Sequence, residues 1–148
     1  MNKRETKLLY NSQVIHTAYY GEINCNEILQ AINHWQDLIA THKTVRVLVF
    51  DYTDATMTPL STNDVIRIAE TTAILTDETP ELVMIGVMST DFDTGMTNMW
   101  RAYSNLRSSV SDDQMHVVRT LEGALKILKE QYGMTALINT KNTGAPSA

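Results

Sequence analysis

The sequence predicts a mixed α/β fold: a mainly parallel sheet, opened by an antiparallel hairpin, with about four helices packed on it. Three observations predict it. Two runs, "VRVLVFDY" at 45–52 and "ELVMIGVMS" at 81–89, are rich in β-branched residues and almost continuously apolar, the pattern of strands covered on both faces. Stretches with apolar residues at helical spacing alternate with these runs. A chain ordered in this way joins neighbouring parallel strands by right-handed helical crossovers.

The elements follow in order. In "KLLYNSQVIHTAYYGEI" two β-rich pieces flank the turn formers Asn11 and Ser12, which predicts a hairpin, with one strand at a sheet edge, that stops near Gly21. In "NCNEILQAINHWQDLIATHK", Asn24 followed by Glu27 is a capping pair, and Ile28, Ile32, Trp35, Leu38 and Ile39 form one apolar stripe. The first helix therefore lies against the sheet. The 45–52 run is the central strand. Beyond the loop containing Pro59, Ser61 and Asp64 pair as a second cap, and Val65, Ile68, Ala69, Thr72 and Leu75 continue a second helix. In the 81–89 strand, Gly86 is the weak point. A third helix is expected from Asp93 or Thr94 through Met96, Met99, Trp100, Tyr103 and Leu106, ending in the loop "RSSVSDD". "MHVVRT" is a short strand, Thr120 caps a fourth helix through Leu121, Leu125, Leu128 and Tyr132, and Gly133 stops it.

The bulk composition bounds the function. A chain of 148 residues buries about two-thirds of the surface that its unfolded form exposes, enough for one core and not for two. With 43% apolar and 20% charged residues it has the profile of a folded globular protein. One domain over 1–133 is expected, followed by a mobile tail over 134–148 that lacks apolar periodicity. A net charge of −5 with no cluster of Lys and Arg repels a phosphate backbone, so nucleic acid is not an expected partner. No run reaches the roughly 18 apolar residues of a membrane span, and "MNKRETKLLY" lacks a signal-peptide core; a cytoplasmic location without a transmembrane segment is expected. One cysteine, Cys25, permits neither an intrachain disulfide nor a multi-thiolate zinc site. His16, His34, His42 and His116 show no local metal-binding spacing, and neither metal nor cofactor is expected.

The Gly21 turn after "YY", the "VRVLVFDYTDA" strand, the "TNDVIRIAE" helix, the "LVMIGVMSTDFDTGM" joint and the closing "VVRTLEGALKIL" together resemble the STAS/SpoIIAA-like family, over roughly residues 7 to 132. That family is described as related to the lipid-binding CRAL-TRIO fold. The resemblance implies a small regulatory domain, not an enzyme, that binds a protein partner or a small ligand. In its anti-sigma-factor-antagonist branch a serine at the start of the helix after the second core strand is phosphorylated. The matching positions are Ser61 and Thr62, where free helix N–H groups would stabilise a phosphate but Asp64 would repel it.

Residue chemistry adds further candidates. Asp51, Asp54, Asp91 and Asp93 should share the carboxyl edge of a parallel sheet, where open α/β sheets bind ligands; capping helices and finishing strands is their ordinary alternative use. "DYTDAT" approximates the Asp-x-Asp motif of aspartate-based phosphatases, with one residue too many between its acids. On an extended strand Asp51 and Asp54 point to opposite sides. Trp35, Met84, Met88, Met96, Met99, Met115, Trp100 and Tyr103 would either fill the core, line a deformable apolar pocket or, for Trp100 and Tyr103, form an exposed interface. Cys25, in the first turn of its helix, should have its thiol pKa lowered by the helix dipole.

The expected function is a non-catalytic regulatory module that binds a protein partner or a second copy of itself as a homodimer. The alternatives are a carrier or sensor of a hydrophobic small molecule or lipid, and an aspartate-based phosphotransfer enzyme using Asp51.

Overall fold

The opening hairpin forms where its residues indicate. In the computed structural model, which describes residues 3–107 and 112–134, β1 (Arg4–Leu9) pairs antiparallel with β2 (Val14–Ile23), from Arg4 opposite Tyr19 to Leu9 opposite Val14. Tyr10, Asn11 and Ser12 reverse the chain at φ of 57°, 56° and 63°. Three consecutive left-handed residues without a glycine is an uncommon turn, and asparagine is the residue that tolerates that conformation best. The Gln13 N–H closes it onto the Tyr10 carbonyl at 3.1 Å, and the Gln13 carbonyl accepts from the amides of Arg46 and Val47.

The remaining elements are α1 (Cys25–Thr41), β3 (Val47–Met57), α2 (Thr62–Glu78), β4 (Val83–Val87), α3 (Asp91–Arg107), a 3-10 turn (Asp112–Gln114), β5 (Met115–Val118) and α4 (Leu121–Tyr132). The strands lie in the order β1-β2-β3-β4-β5, with every pair after the first parallel and β3 central. Right-handed crossovers between strands laid down in this order put every connecting helix on the same side. Accordingly α1, α2 and α3 share one core with Ile15, Leu48 and Met84, while α4 is the one helix among the described residues that covers the opposite face, through Ala124 and Leu128.

Two strands run further than their apolar runs indicate. β2 does not stop at Gly21: that residue takes φ 78°, the register shifts between Ala18 and Tyr20, and pairing with β3 resumes to Ile23 opposite Met57. Glycine allows the bend that a bulged strand needs. β4 pairs β3 only as far as Asp51, so beyond that point β3 has a neighbour on one side and its Thr53–Thr56 segment meets water. A half-exposed ribbon needs no continuous apolar run, which is why its sequence does not announce it.

Capping sets the helix starts. Asn24 Oδ1 accepts from the Glu27 N–H at 2.9 Å and Glu27 Oε1 from the Asn24 N–H at 2.8 Å, a reciprocal box. Ser61 and Asp64 repeat it at 3.0 and 3.1 Å. α3 begins at Asp91, two residues before the earlier of the expected starts, because Thr90 Oγ1 accepts from the Asp93 N–H at 3.0 Å and so acts as the cap. α4 ends at Gly133, φ 69°, where the Met134 N–H reaches the Leu128 carbonyl at 2.9 Å. The Met134 side chain is buried in the α4 core. The rest of the expected tail, 135–148, and residues 108–111 of the expected loop lie outside the described residues.

Candidate functional site

The acids at the carboxyl ends of the strands take separate places. Asp51, on β3, is buried on the α4 side of the sheet; His16 Nε2 donates to its Oδ2 at 3.0 Å, and its Oδ1 accepts from the Thr53 N–H at 2.9 Å and the Thr53 hydroxyl at 2.5 Å. Burial pushes the Asp51 pKa up, but the hydrogen bonds from His16 and Thr53 outweigh it and hold the carboxyl below its ordinary value. Asp54 is exposed opposite Tyr20. Asp91, at the start of α3, is ion-paired with Arg119 at 2.8 Å. Asp93 is fully buried on the other side of the sheet, its Oδ1 accepting from the Met57 N–H at 3.0 Å and the Thr56 hydroxyl at 3.2 Å, so that it pins α3 to the far end of β3. Among the described residues no group of three or more His, Cys, Asp or Glu could hold a metal ion. His16 is a partner that periodicity alone could not assign, since nothing in "VIHTAYY" indicates which carboxylate lies across the sheet.

Ser61 and Thr62 are exposed at the start of α2. Beside them a cleft of ≈ 300 Å³ opens between the N-termini of α1 and α2, bordered by Cys25, Thr58, Leu60, Asp64 and Arg67. The Cys25 thiol does not have the lowered pKa that its helix position predicts. Partial burial and then the Asp64 carboxylate push it up, because the second helix brings an acid that the isolated first turn does not contain.

The aromatic and methionine residues build an apolar chamber between the sheet and α1, α2 and α3, with a volume of ≈ 50 Å³. Trp35, Met84, Met96 and Trp100 line it; Met88 is fully buried in the same core, and Tyr103 is half-buried against it. Trp100 is only 8% exposed, so it is not part of an exposed interface, whereas its neighbour Met99 is 40% exposed. A single residue step turns a helix by about 100°, which separates the two. The chamber also includes Tyr19, Phe50, Tyr52 and Thr97, which no helical stripe marks, and Thr72, which the second helix's stripe predicts as a packing residue only. The available signal was strand alternation: Ile15, Thr17 and Tyr19, and Leu48, Phe50 and Tyr52, all lie on the face toward α1 to α3.

Ring geometry orders the walls. Tyr19 and Tyr52 stack at 4.5 Å, and Phe50 meets Trp100 edge-on at 5.7 Å. Burial pushes both tyrosine pKa values up, so these rings stay neutral. Trp35 Nε1 donates to Thr17 Oγ1 at 2.8 Å and Trp100 Nε1 to Thr72 Oγ1 at 3.3 Å. By contrast Asp93 Oδ2, Thr97 Oγ1 and Ser104 Oγ on α3 are buried without a hydrogen-bond partner among the described residues. The outer side of the same helix exposes Phe92 at 46%, Met99 at 40% and Leu106 at 80%.

A five-stranded sheet with an antiparallel first pair, parallel strands thereafter and four helices is the SpoIIAA-like α/β fold. The structure of the anti-sigma factor antagonist SpoIIAA in its unphosphorylated form superposes with a TM-score of 0.52 at 8% identity, over 86% of this chain and 98% of that one. The phosphorylated form of SpoIIAA, a Bacillus cell fate determinant, gives a TM-score of 0.48 at 7% identity, over 84% of this chain and 98% of that one. No protein-family model matches the chain, and no curated protein does. No helix among the described residues is long and apolar enough to cross a membrane.

Proposed function

We propose that the protein is a non-catalytic regulatory module that works by binding a protein partner, a second copy of the chain being the first candidate. The observation that carries this reading is the outer face of α3. Phe92, Met99 and Leu106 stand seven residues apart, so about two turns separate each from the next and the three form one exposed apolar stripe. The inner face of the same helix buries Asp93, Thr97 and Ser104. Trp100 and Met96 already supply the helix with an apolar inner side, so a second, exposed apolar stripe is not needed for packing and supports a surface that is covered in use. The fold supports the same reading, since a solved protein sharing it is an anti-sigma factor antagonist.

Phosphorylation at Ser61 or Thr62 is the regulatory step that the reading includes. Ser61 Oγ is the acceptor of the α2 capping box, so a phosphate there would place a dianion beside Asp64 and open the box. Phosphotransfer through Asp51 has less support, because both of its oxygens are engaged by His16 and Thr53. Native mass spectrometry and affinity capture test the proposal, with wild type compared to a Phe92→Glu/Leu106→Glu variant whose fold is checked by circular dichroism. Wild type is expected to self-associate or to retain a protein that the variant releases. A wild-type chain that is strictly monomeric and retains nothing, or a variant that retains the same species, overturns it.

A further inference from the structure

We infer that the chamber beneath α3 is a binding site for a small, neutral aromatic molecule carrying one hydroxyl group, of the phenol and benzyl-alcohol class, with Thr97 as its polar anchor. This goes beyond the protein-binding reading and does not depend on it. The walls select an aromatic ring. Tyr19, Trp35, Phe50, Tyr52 and Trp100 surround the space, already arranged in stacked and edge-on pairs that a further flat ring can extend. None of the lining residues carries a charged side chain, so an ionised ligand would lose its hydration without compensation.

Size and adaptability agree with a ligand of this class. The resting volume of ≈ 50 Å³ exceeds the roughly 10–15 Å³ that one water needs, yet walls this apolar favour a dry cavity, the kind that takes up benzene. A cavity of about 150 Å³ holds benzene, so a ring entering here must displace side chains. Met57, Met84 and Met96 on the wall are unbranched thioethers able to move aside.

The polar anchor follows from an inventory of wall hydroxyls. Thr72 Oγ1 is used twice, accepting from Trp100 Nε1 at 3.3 Å and donating to the Ile68 carbonyl at 2.7 Å. Tyr19 and Tyr52 face each other as a stacked pair at 4.5 Å, each the other's polar neighbour. Thr97 lines the chamber and is only 2% exposed, and its Oγ1 is buried without a hydrogen-bond partner among the described residues. A buried hydroxyl left unpaired is costly, and a ligand hydroxyl meeting it relieves that cost.

The experiment is a titration of the full chain with phenol and separately with toluene, followed through the methionine methyl resonances. Phenol is expected to move the Met57, Met84 and Met96 methyl signals. In Thr97→Val, close to isosteric with the native residue, phenol should lose roughly fivefold in affinity while toluene is unchanged, and Thr97→Ser should restore phenol binding. If neither probe shifts these methyls up to its solubility limit, no binding site exists. Equal loss of phenol and toluene in Thr97→Val, or no loss of either, removes the anchor and overturns the assignment. None of these readouts depends on the oligomeric state, so this inference and the protein-binding reading fail separately.

Discussion

Replacing Gly86 by alanine probes the packing between the sheet and the chamber. Gly86 sits in β4 directly opposite Phe50 of β3, and a Cβ placed on it would lie 2.6 Å from Phe50 Cε2, 2.9 Å from Phe50 Cζ and 3.2 Å from Met88 Cε. The first two distances are shorter than carbon atoms approach, so the ring has to tilt. Phe50 is 8% exposed and in contact with Trp100 at 5.7 Å and Trp35 at 6.3 Å, so the tilt disturbs two further rings. Overpacking of this kind costs about 1–3 kcal/mol. Alanine returns roughly 0.4–1 kcal/mol by restricting the unfolded chain. The net expectation is a loss of about 1–2 kcal/mol. Urea denaturation should show a lower midpoint at an unchanged slope, and thermal unfolding a Tm lower by roughly 2–8 °C for a chain of this size. A variant as stable as wild type, or more stable, would refute the reasoning, since Phe50 would then move into the chamber at no cost and the glycine would have no packing role.

Three other outcomes follow from the same contacts. Ser61→Ala removes the acceptor of the α2 box and should cost about 0.5–2 kcal/mol in urea denaturation; an unchanged midpoint would mean that the cap contributes nothing to stability. Thr97→Val takes out a buried, unpaired hydroxyl and, unlike most core substitutions, should raise stability by about 1 kcal/mol, which a lower denaturation midpoint would contradict. For Asp51 the folded carboxyl titrates below its ordinary value of 3.8, so its contribution is fully present above that pH and is lost as pH falls toward the depressed folded value. Stability measured from pH 5 downward should therefore decline less steeply in Asp51→Asn than in wild type, and parallel curves would show that the carboxyl contributes no pH dependence.

The parts of the fold legible in the sequence are those governed by local rules. The two capping boxes, Asn24 with Glu27 and Ser61 with Asp64, could be read because their partners are three residues apart. The central strand could be read because burial on both faces leaves a continuous apolar run. The far ends of β2 and β3 could not, since a two-stranded ribbon exposed to water has no such run. The same limit applies to the candidate sites. Trp35 and Trp100 were recognisable as large apolar residues on helical stripes, but the aromatic partners that make them chamber walls come from strands distant in sequence.

Alternating strand and helix signals, and the short-range chemistry that starts and stops each helix, were enough by themselves to establish a mainly parallel α/β sheet with a leading hairpin, because periodicity and capping act over a few neighbouring residues. Tertiary structure alone decided that His16 meets Asp51, that burial and then Asp64 raise the Cys25 thiol pKa, and that α3 buries Thr97 while exposing Leu106. These depend on which surfaces the crossovers bring together, and desolvation and pairing across such surfaces are set by distance in space rather than along the chain.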